Sequence, residues 1–421
     1  MTRRSFVKTG AVAAAGATAL SAHLGHHLVF ADANAKVRIG VIGCGKRGAE
    51  AARACAKIEG VQVTALADVF QDQVDALKAE LKVANALVGF DAAAKLLALK
   101  DVDAVLLTSV SAFRPQQFAA AIEAGKHVFL EAPAAICLAG VRMVQAAAAK
   151  AGEKKLSVVT GLNGRHDPAC IETMKRIRDG AIGTIQSAQC YSNVGVAEPV
   201  RKQAHASDVE NQMRNYRSYV WLSGDHICDR HVNNLDILNW AFNALPDSVH
   251  GLGSRQCHKG EEYGNVYDHF GIEYAYPNDI RTISMCRTIE GTEERIGERL
   301  AGTKGVSNGR GVIEGANAWK YDGPKVDPLV QALTDLVKAI QTGTPVNDGQ
   351  AAAESALTAV LGRESAYSRL QFKRSAFEAK CTQSLLPPQD LKLGPMPVKP
   401  PAMPGPYVWE GFPTGEGGKK K

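Results

Sequence analysis

The sequence predicts an α/β chain whose first part is a doubly wound parallel sheet and whose later part is richer in strands. Three observations predict it. Short β-branched runs alternate with helical patterns between residues 36 and 161. A glycine-rich turn, Gly43-Cys44-Gly45-Lys46-Arg47-Gly48, stands between the first such strand and the first such helix. A second buried-strand run, Val61–Ala67, ends on an acid, Asp68, twenty residues after Gly48. Strands alternating with helices at these spacings build a parallel sheet covered on both faces.

The elements follow in order. Lys36–Ile42 reads as a buried strand, since Val37, Ile39, Val41 and Ile42 are β-branched. An alanine-rich helix is expected from about Arg47 to Lys57. In a strand–turn–helix unit of this kind, Gly43 permits the tight turn. Gly45 admits a pyrophosphate to the backbone, and Gly48 lets helix and strand pack closely. The unpaired N–H groups of the helix N-terminus suit phosphate oxygens. Val61–Ala67 is a second strand ending at Asp68, twenty residues after Gly48, where an acid meets ribose hydroxyls. The cofactor expected is therefore NAD or NADP. Asp68 favours the first, whereas Lys46 and Arg47 are placed to meet the 2′-phosphate of the second. Strands at Val102–Thr108, His127–Leu130 and Leu156–Gly161 alternate with helices at Pro115–Ala124 and Leu138–Lys150.

The 421 residues are 45% hydrophobic and 22% charged, an ordinary globular composition. No stretch approaches the ~20 apolar residues of a membrane span. Of the formal charge of +6, residues 1–35 carry +2 and Lys419–Lys421 carry +3, leaving the body near +1. A nearly neutral body argues against a nucleic-acid partner. The nine cysteines are scattered without a C-x-x-C pair, which points to buried thiols rather than a zinc cluster or disulfide framework.

Residues 1–35 read as an address. Thr2-Arg3-Arg4-Ser5-Phe6-Val7-Lys8 precedes a weakly apolar alanine-rich run, and Ala31-Asp32-Ala33 and Ala33-Asn34-Ala35 fit a small-residue cleavage site. This is the layout of a twin-arginine export signal, implying the twin-arginine machinery as a partner and a periplasmic destination. An exported dinucleotide protein is expected to hold its cofactor tightly. His23, His26 and His27 fall in the same segment and would leave with it.

Ala119–Pro133 reads A-A-A-I-E-A-G-K-H-V-F-L-E-A-P, which resembles the A-G-K-H-V-x-x-E-K-P signature of Gfo/Idh/MocA oxidoreductases. Gly161–His166, Asp179–Gly183, Trp221–Trp240, Gly302–Gly305 and Ala353–Tyr367 stand in that family's order. The resemblance implies a second domain from about 162 to 385, with an open, mostly antiparallel sheet and helices on one face. Runs at Thr184–Ser192, Ser248–Cys257, Tyr267–Tyr276 and Ile280–Arg287 agree with it, and Val326–Thr342 and Gln350–Arg369 read as helices. Residues 386–421 are rich in proline and glycine and are expected to form an arm that lies on a neighbour or stays partly disordered. The open sheet implies a homo-oligomer.

The resemblance also implies a cofactor site of Gly43, Gly45, Lys46, Arg47, Gly48, Asp68, Ser109, Glu131, Ala132 and Pro133, and a sugar, inositol or other polyol as substrate. Two positions depart from the family. The lysine of E-K-P is Ala132, which can neither hold a charge nor move a proton. The histidine of D-x-x-x-H-x-x-D is Asn233 in Asp229-Arg230-His231-Val232-Asn233-Asn234-Leu235-Asp236, and an amide does not titrate. On one continuous helix Asp229, Asn233 and Asp236 share a face. Asp229, His231 and Asn233 are then the candidates for the chemistry, with Arg165, His166, Asp225, His226 and Asp236 around the substrate. The family binds no metal here, and none is expected. The polar loop Arg201–Arg217, ending in Tyr216-Arg217-Ser218-Tyr219-Val220-Trp221, offers aromatic faces that suit carbohydrate rings. Three functions stay open: an NAD(P)-dependent oxidoreductase, a non-catalytic nucleotide- and sugar-binding protein, and an NAD-dependent glycosidase or lyase that oxidises its sugar transiently.

Overall fold

The computed structural model describes residues 36–195 and 199–412. The segment read as an export signal, residues 1–35, therefore lies outside the described residues. β1 (Val37–Ile42), β2 (Val61–Asp68), β3 (Asn85–Val88), β4 (Ala104–Leu107), β5 (His127–Leu130) and β6 (Val158–Thr160) form a six-stranded parallel sheet. Its order is β3-β2-β1-β4-β5-β6, so the chain reverses direction between β1 and β4. Ligands of doubly wound sheets bind at that reversal, outside the carboxyl ends of the strands. Helices α1 (Lys46–Ala56), α2 (Gln71–Leu81), α3 (Ala92–Leu97), α4 (Arg114–Glu123) and α5 (Leu138–Glu153) are the crossovers. β1 and β4 are almost wholly buried, as a strand covered on both faces must be.

The second sheet has nine strands. They are β7 (Ile185–Val194), β8 (Ser248–Ser254), β9 (His269–Tyr276), β10 (Ile280–Thr288), β11 (Arg295–Gly302), β12 (Gly305–Ser307), β13 (Val312–Gly315), β14 (Trp319–Lys320) and β15 (Phe372–Lys373), in the order β14-β13-β12-β11-β7-β10-β9-β8-β15. Every pairing is antiparallel except β7 with β10. Helices α6 (Pro168–Arg178), α7 (Asp208–Arg214), α8 (Val220–Ser223), α9 (His226–Asp229), α10 (Val232–Phe242), α11 (Pro328–Thr342), α12 (Gly349–Ser368) and α13 (Arg374–Lys380) complete the chain. α10 and α12 cover one face of the sheet. Along β8 and β10 burial alternates, and Leu252, Ile283 and Met285 point outward, 59%, 36% and 44% exposed.

Two features differ from the sequence reading. α11 lies within the second domain's stretch of sequence, yet Leu329, Leu333, Leu336, Val337 and Ile340 pack with Val37, Ile39, Ala52 and Val159 in the core of the first domain. Its amphipathic pattern shows that it has an apolar face, not which surface that face meets. The described residues beyond Lys380, as far as Phe412, form no regular helix or strand. They run back over their own chain, where Pro387 O accepts from Gln116 Nε2 at 3.1 Å, Gly394 O from Val209 N at 3.1 Å, and Ala402 O from Tyr267 Oη at 2.8 Å. Trp409 anchors the end, 1% exposed, against Phe372 and Phe377. Isolated apolar residues without periodicity hold this arm, so pattern reading missed them.

Candidate functional site

The glycine loop has the shape that a dinucleotide needs. Gly43 has φ of 96°, a conformation that L side chains avoid, and a Cβ there would run into the Ser109 backbone. Gly45 faces open space: the nearest atom to a Cβ built on it is Gln73 Oε1, at 3.9 Å. α1 starts at Gly45 with no side-chain cap and no acid in its first turn, so its leading N–H groups are offered to an anion. Asp68 Oδ2 accepts from Cys44 N at 2.6 Å and Oδ1 from Phe70 N at 3.0 Å. Burial raises the Asp68 pKa against those donors. The loop, the uncapped helix and the acid at the end of β2 fit pyrophosphate and ribose.

Lys46 is exposed on the first turn. Arg47 is engaged elsewhere, with Nε on Glu131 Oε2 at 2.6 Å and Nη1 on Glu50 Oε2 at 3.1 Å. An arginine tied to Glu131 is not free to meet a 2′-phosphate, whereas Lys46 is exposed beside the loop. Ser109 serves through its backbone, against Gly43, while its hydroxyl bonds Gln117.

At the carboxyl end of β5, Glu131 is buried and its Oε1 accepts from Ala132 N at 3.0 Å. Gly161 packs on Glu131 so closely that a Cβ would overlap the carboxylate. Buried Arg114 ties the neighbouring turns together. It donates to Ser109 O at 2.9 Å, Pro133 O at 2.9 Å and Glu131 O at 3.4 Å. Its pKa is lowered by burial, with Glu131, Tyr216 and Asp229 opposing. Arg47, bound to Glu131, lies in the same region as Ala132.

The helix expected to carry Asp229, Asn233 and Asp236 on one face is not continuous. α9 ends at Asp229, and α10 begins at Val232. Asp229 turns to Arg217, with Nε on Oδ2 at 3.0 Å. Asn233 Oδ1 accepts from Asn163 N at 3.2 Å, just beyond β6. Asp236, 1% exposed, takes a two-pronged ion pair from Arg165 at 2.9 and 2.8 Å and a hydroxyl from Ser355 at 2.7 Å. Arg165 also stacks over Trp240 at 4.6 Å. Asn233 therefore faces the end of the parallel sheet, Asp229 is held by Arg217, and Asp236 and Arg165 brace α10.

Four other candidates are placed away from the chemistry. His231 was expected among the catalytic groups but is fully buried under the second sheet, with Nε2 on Ser284 Oγ at 2.7 Å and Cys190 Sγ at 3.5 Å. Burial pushes its pKa down to about 3, so it stays neutral. Asp225 is a structural hub. It is fully buried, with φ of 71°, and its carboxylate accepts from His226 N at 2.6 Å, Tyr267 N at 2.8 Å and Tyr367 Oη at 2.6 Å. His226 leans on Asp225 at 2.9 Å and on the Phe270 ring. His166 is clamped between Asp335 at 2.8 Å and Asp348 at 3.5 Å, turned towards α11.

The His166 clamp has a pH consequence. Burial alone would lower its pKa, but the two carboxylates outweigh it and raise it to about 9, while Asp335 is held below its usual value. A raised folded-state pKa contributes stability that is complete below the unfolded value near 6.5 and disappears as pH rises through about 9. The gap in melting temperature between the native protein and His166→Gln is expected to be largest near pH 6 and to close by about pH 10. A gap independent of pH would show that His166 carries no charge there.

The polar loop 201–217 supplies residues that sequence reading did not assign. Arg214, on α7, reaches across to the first domain. It grips Asp72 with two bonds of 3.0 Å and stacks over Phe70 at 4.1 Å, two residues beyond Asp68. The arm holds α7 from behind, with Gln212 Nε2 donating to Met396 O at 2.7 Å and Met396 N to Asp208 Oδ2 at 3.2 Å. Tyr216 and Arg217 follow, half-buried and exposed, beside Asp229. The run Tyr216–Trp221 was the available signal, read there only as a sugar platform.

Residues 37–160 match the family model GFO_IDH_MocA, described as an oxidoreductase family with an NAD-binding Rossmann fold. The N-terminal domain is thus similar to the NAD-binding domain of that family. Inositol 2-dehydrogenase of Klebsiella pneumoniae subsp. pneumoniae is 32% identical over 214 residues, 49% of this chain and 55% of that protein. Inositol 2-dehydrogenase of Agrobacterium fabrum is 36% identical over 206 residues, 48% and 54%. The chain thus spans about half the length of the curated relatives it matches. Among solved structures, scyllo-inositol dehydrogenase from Lactobacillus casei with bound NAD(H) and scyllo-inositol superposes with a TM-score of 0.63 at 19% identity, covering 81% of this chain and 99% of that one. Aldose-aldose oxidoreductase from Caulobacter crescentus superposes at 0.66 with 16% identity, covering 80% and 99%. The structural likeness covers both domains and is a likeness of fold. No described helix is long and apolar enough to cross a membrane.

Proposed function

We propose that this chain is an NAD-dependent oxidoreductase acting on a sugar, inositol or related polyol. The observation that carries the reading is the meeting of Glu131, Ala132, Asn163 and Asn233 outside the carboxyl ends of β5 and β6, on the side where the glycine loop and Asp68 would receive the dinucleotide. The bound cofactor supplies a hydride acceptor or donor. Gly43, Gly45, Gly48 and the start of α1 hold its phosphates, and Asp68 its ribose. Asn233 and Asp229 orient hydroxyls of the substrate, and burial of the surrounding groups excludes water. Arg214 covers the side of the cleft near Phe70, which supports a cofactor retained through purification. Denatured pure protein is expected to release NAD(H). Incubation with a polyol panel should form NADH, and glycoside cleavage without net NADH would favour the transient-oxidation chemistry instead.

A second reading is a nucleotide- and sugar-binding protein without turnover. The methyl of Ala132 and the amide of Asn233 favour it, because neither titrates. Bound nucleotide with no NADH from any polyol would establish that reading. The twin-arginine layout of residues 1–35 supports export, and an exported form beginning after Ala33 or Ala35 is the expected check. The outward Leu252, Ile283 and Met285 support self-association through the second sheet. Light scattering should find more than one chain per particle, and a monomer would refute it.

A further inference from the structure

The first turn of α2 borders the space that the dinucleotide would take. Phe70, just before it, donates its N–H to Asp68 Oδ1 at 3.0 Å. Gln73, within it, brings Oε1 to the open side of Gly45, 3.9 Å from a Cβ built there. Asp72 stands between the two and is held from the other domain. Arg214, on α7, donates Nη1 to Asp72 Oδ2 and Nη2 to Asp72 Oδ1, both at 3.0 Å, and its guanidinium lies 4.1 Å from the centre of the Phe70 ring. Its Nε goes to Glu210 Oε1 at 2.9 Å, one helical turn back, which aims the guanidinium. With seven residues, α7 is too short to hold that position by itself. The C-terminal arm holds it from behind. Val209 N donates to Gly394 O at 3.1 Å, Gln212 Nε2 to Met396 O at 2.7 Å, and Met396 N to Asp208 Oδ2 at 3.2 Å. Trp221 Nε1 steadies Gln212 through its Oε1 at 2.7 Å. The arm is fastened in turn by Tyr267 on Ala402 O and by buried Trp409.

Resting on the nucleotide-binding part of the reading above, we propose that α7 and the C-terminal arm form a strap across the adenosine side of the dinucleotide site, closed by Arg214 on Asp72 and Phe70, and that the nucleotide leaves only when this contact opens. Asp68 is the ribose partner of such a site, and the chain runs outward from it through Phe70 to Asp72, where Arg214 closes over it. The closure is made for slow release rather than permanent capture. The side chain of Asp72 is 57% exposed, so its ion pair is weak by itself and is screened by salt. The stacking of Arg214 on Phe70 and the bonds from the arm to α7 reinforce it. Contacts that must break before a ligand departs act on its dissociation rate.

The test follows NADH as it leaves. Protein loaded with NADH is mixed with a large excess of NAD, and the decay of bound NADH fluorescence gives the release rate. Arg214→Met keeps an unbranched side chain and removes the charge that meets Asp72 and Phe70. Its release is expected to be about tenfold faster than that of the native protein. Asp72→Asn, a change at an exposed position that leaves folding intact, should also speed release. If the two residues act as one contact, the double variant releases NADH no faster than Arg214→Met alone. Gln212→Ala cuts the bond to the arm while leaving Arg214 in place, and about threefold faster release is expected. Release as slow in Arg214→Met as in the native protein would overturn the proposal. So would a double variant in which the two single effects add, and release unchanged in Gln212→Ala would remove the arm from the strap. Turnover does not enter these measurements. Release rates decide the strap, and NADH formation from a polyol panel separately decides the oxidoreductase reading.

Discussion

Gly48→Ala is expected to lower NAD affinity by at least about a hundredfold and to destabilise the first domain by roughly 3 kcal/mol, within the range for overpacked cores. A Cβ at position 48 would overlap the carbonyl oxygen of Gly43 and press Thr108 Oγ1 at 2.9 Å. Neither obstacle can step aside. The Gly43 carbonyl is held by the Thr108 hydroxyl at 2.8 Å, and Gly43 N donates to Ala67 O at 2.8 Å. The added methyl therefore drives α1 away from β1, and with it the N–H groups that bind pyrophosphate. Titration with NAD and thermal unfolding check both parts. Retained affinity would mean that the loop does not hold the nucleotide as described.

The second large effect belongs to Asp229. Asp229→Asn keeps the shape and removes the charge that pairs with Arg217, whose pKa is lowered by burial but raised beyond that by Asp229. Arg217 is half-exposed, so the freed guanidinium moves into water at little cost to folding. Turnover is expected to fall by two to three orders of magnitude, roughly the weight of an oriented charged group beside a proton transfer. Nucleotide content should not change, since Asp229 pairs with Arg217 while the glycine loop and Asp68 keep their own contacts. Steady-state kinetics and nucleotide analysis on the same sample separate the two, and full turnover in the variant would remove Asp229 from the mechanism.

The legible parts of this molecule are those that local physics dictates. Gly43, Gly48 and Asp68 could be read because a tight turn, a close helix–strand contact and a ribose partner each demand one residue type at one spacing. The break between Asp229 and Val232 could not. No proline or glycine marks it. It arises because His231 is drawn under the second sheet to Ser284, a contact 53 residues distant in sequence. The same holds for Asp225, whose carboxylate looked like a ligand for substrate and instead joins α9 to Tyr267 and Tyr367. Long-range partners decide whether a polar residue is structural or free, and a single sequence does not display them. Arg214 was visible only as part of a polar loop, since its meaning lies in Asp72 and Phe70, which the fold brings to it.

The most direct measurement is a single turnover. Protein loaded with NAD is mixed with each member of a sugar and polyol panel, and bound NADH is followed in the native protein and in Asp229→Asn. Close to one equivalent of NADH per site is expected with at least one polyol, formed at least about a hundredfold more slowly in the variant. Bound NAD that no polyol reduces would contradict the oxidoreductase reading, and would mark Ala132 and Asn233 as the remains of an active site that now only binds.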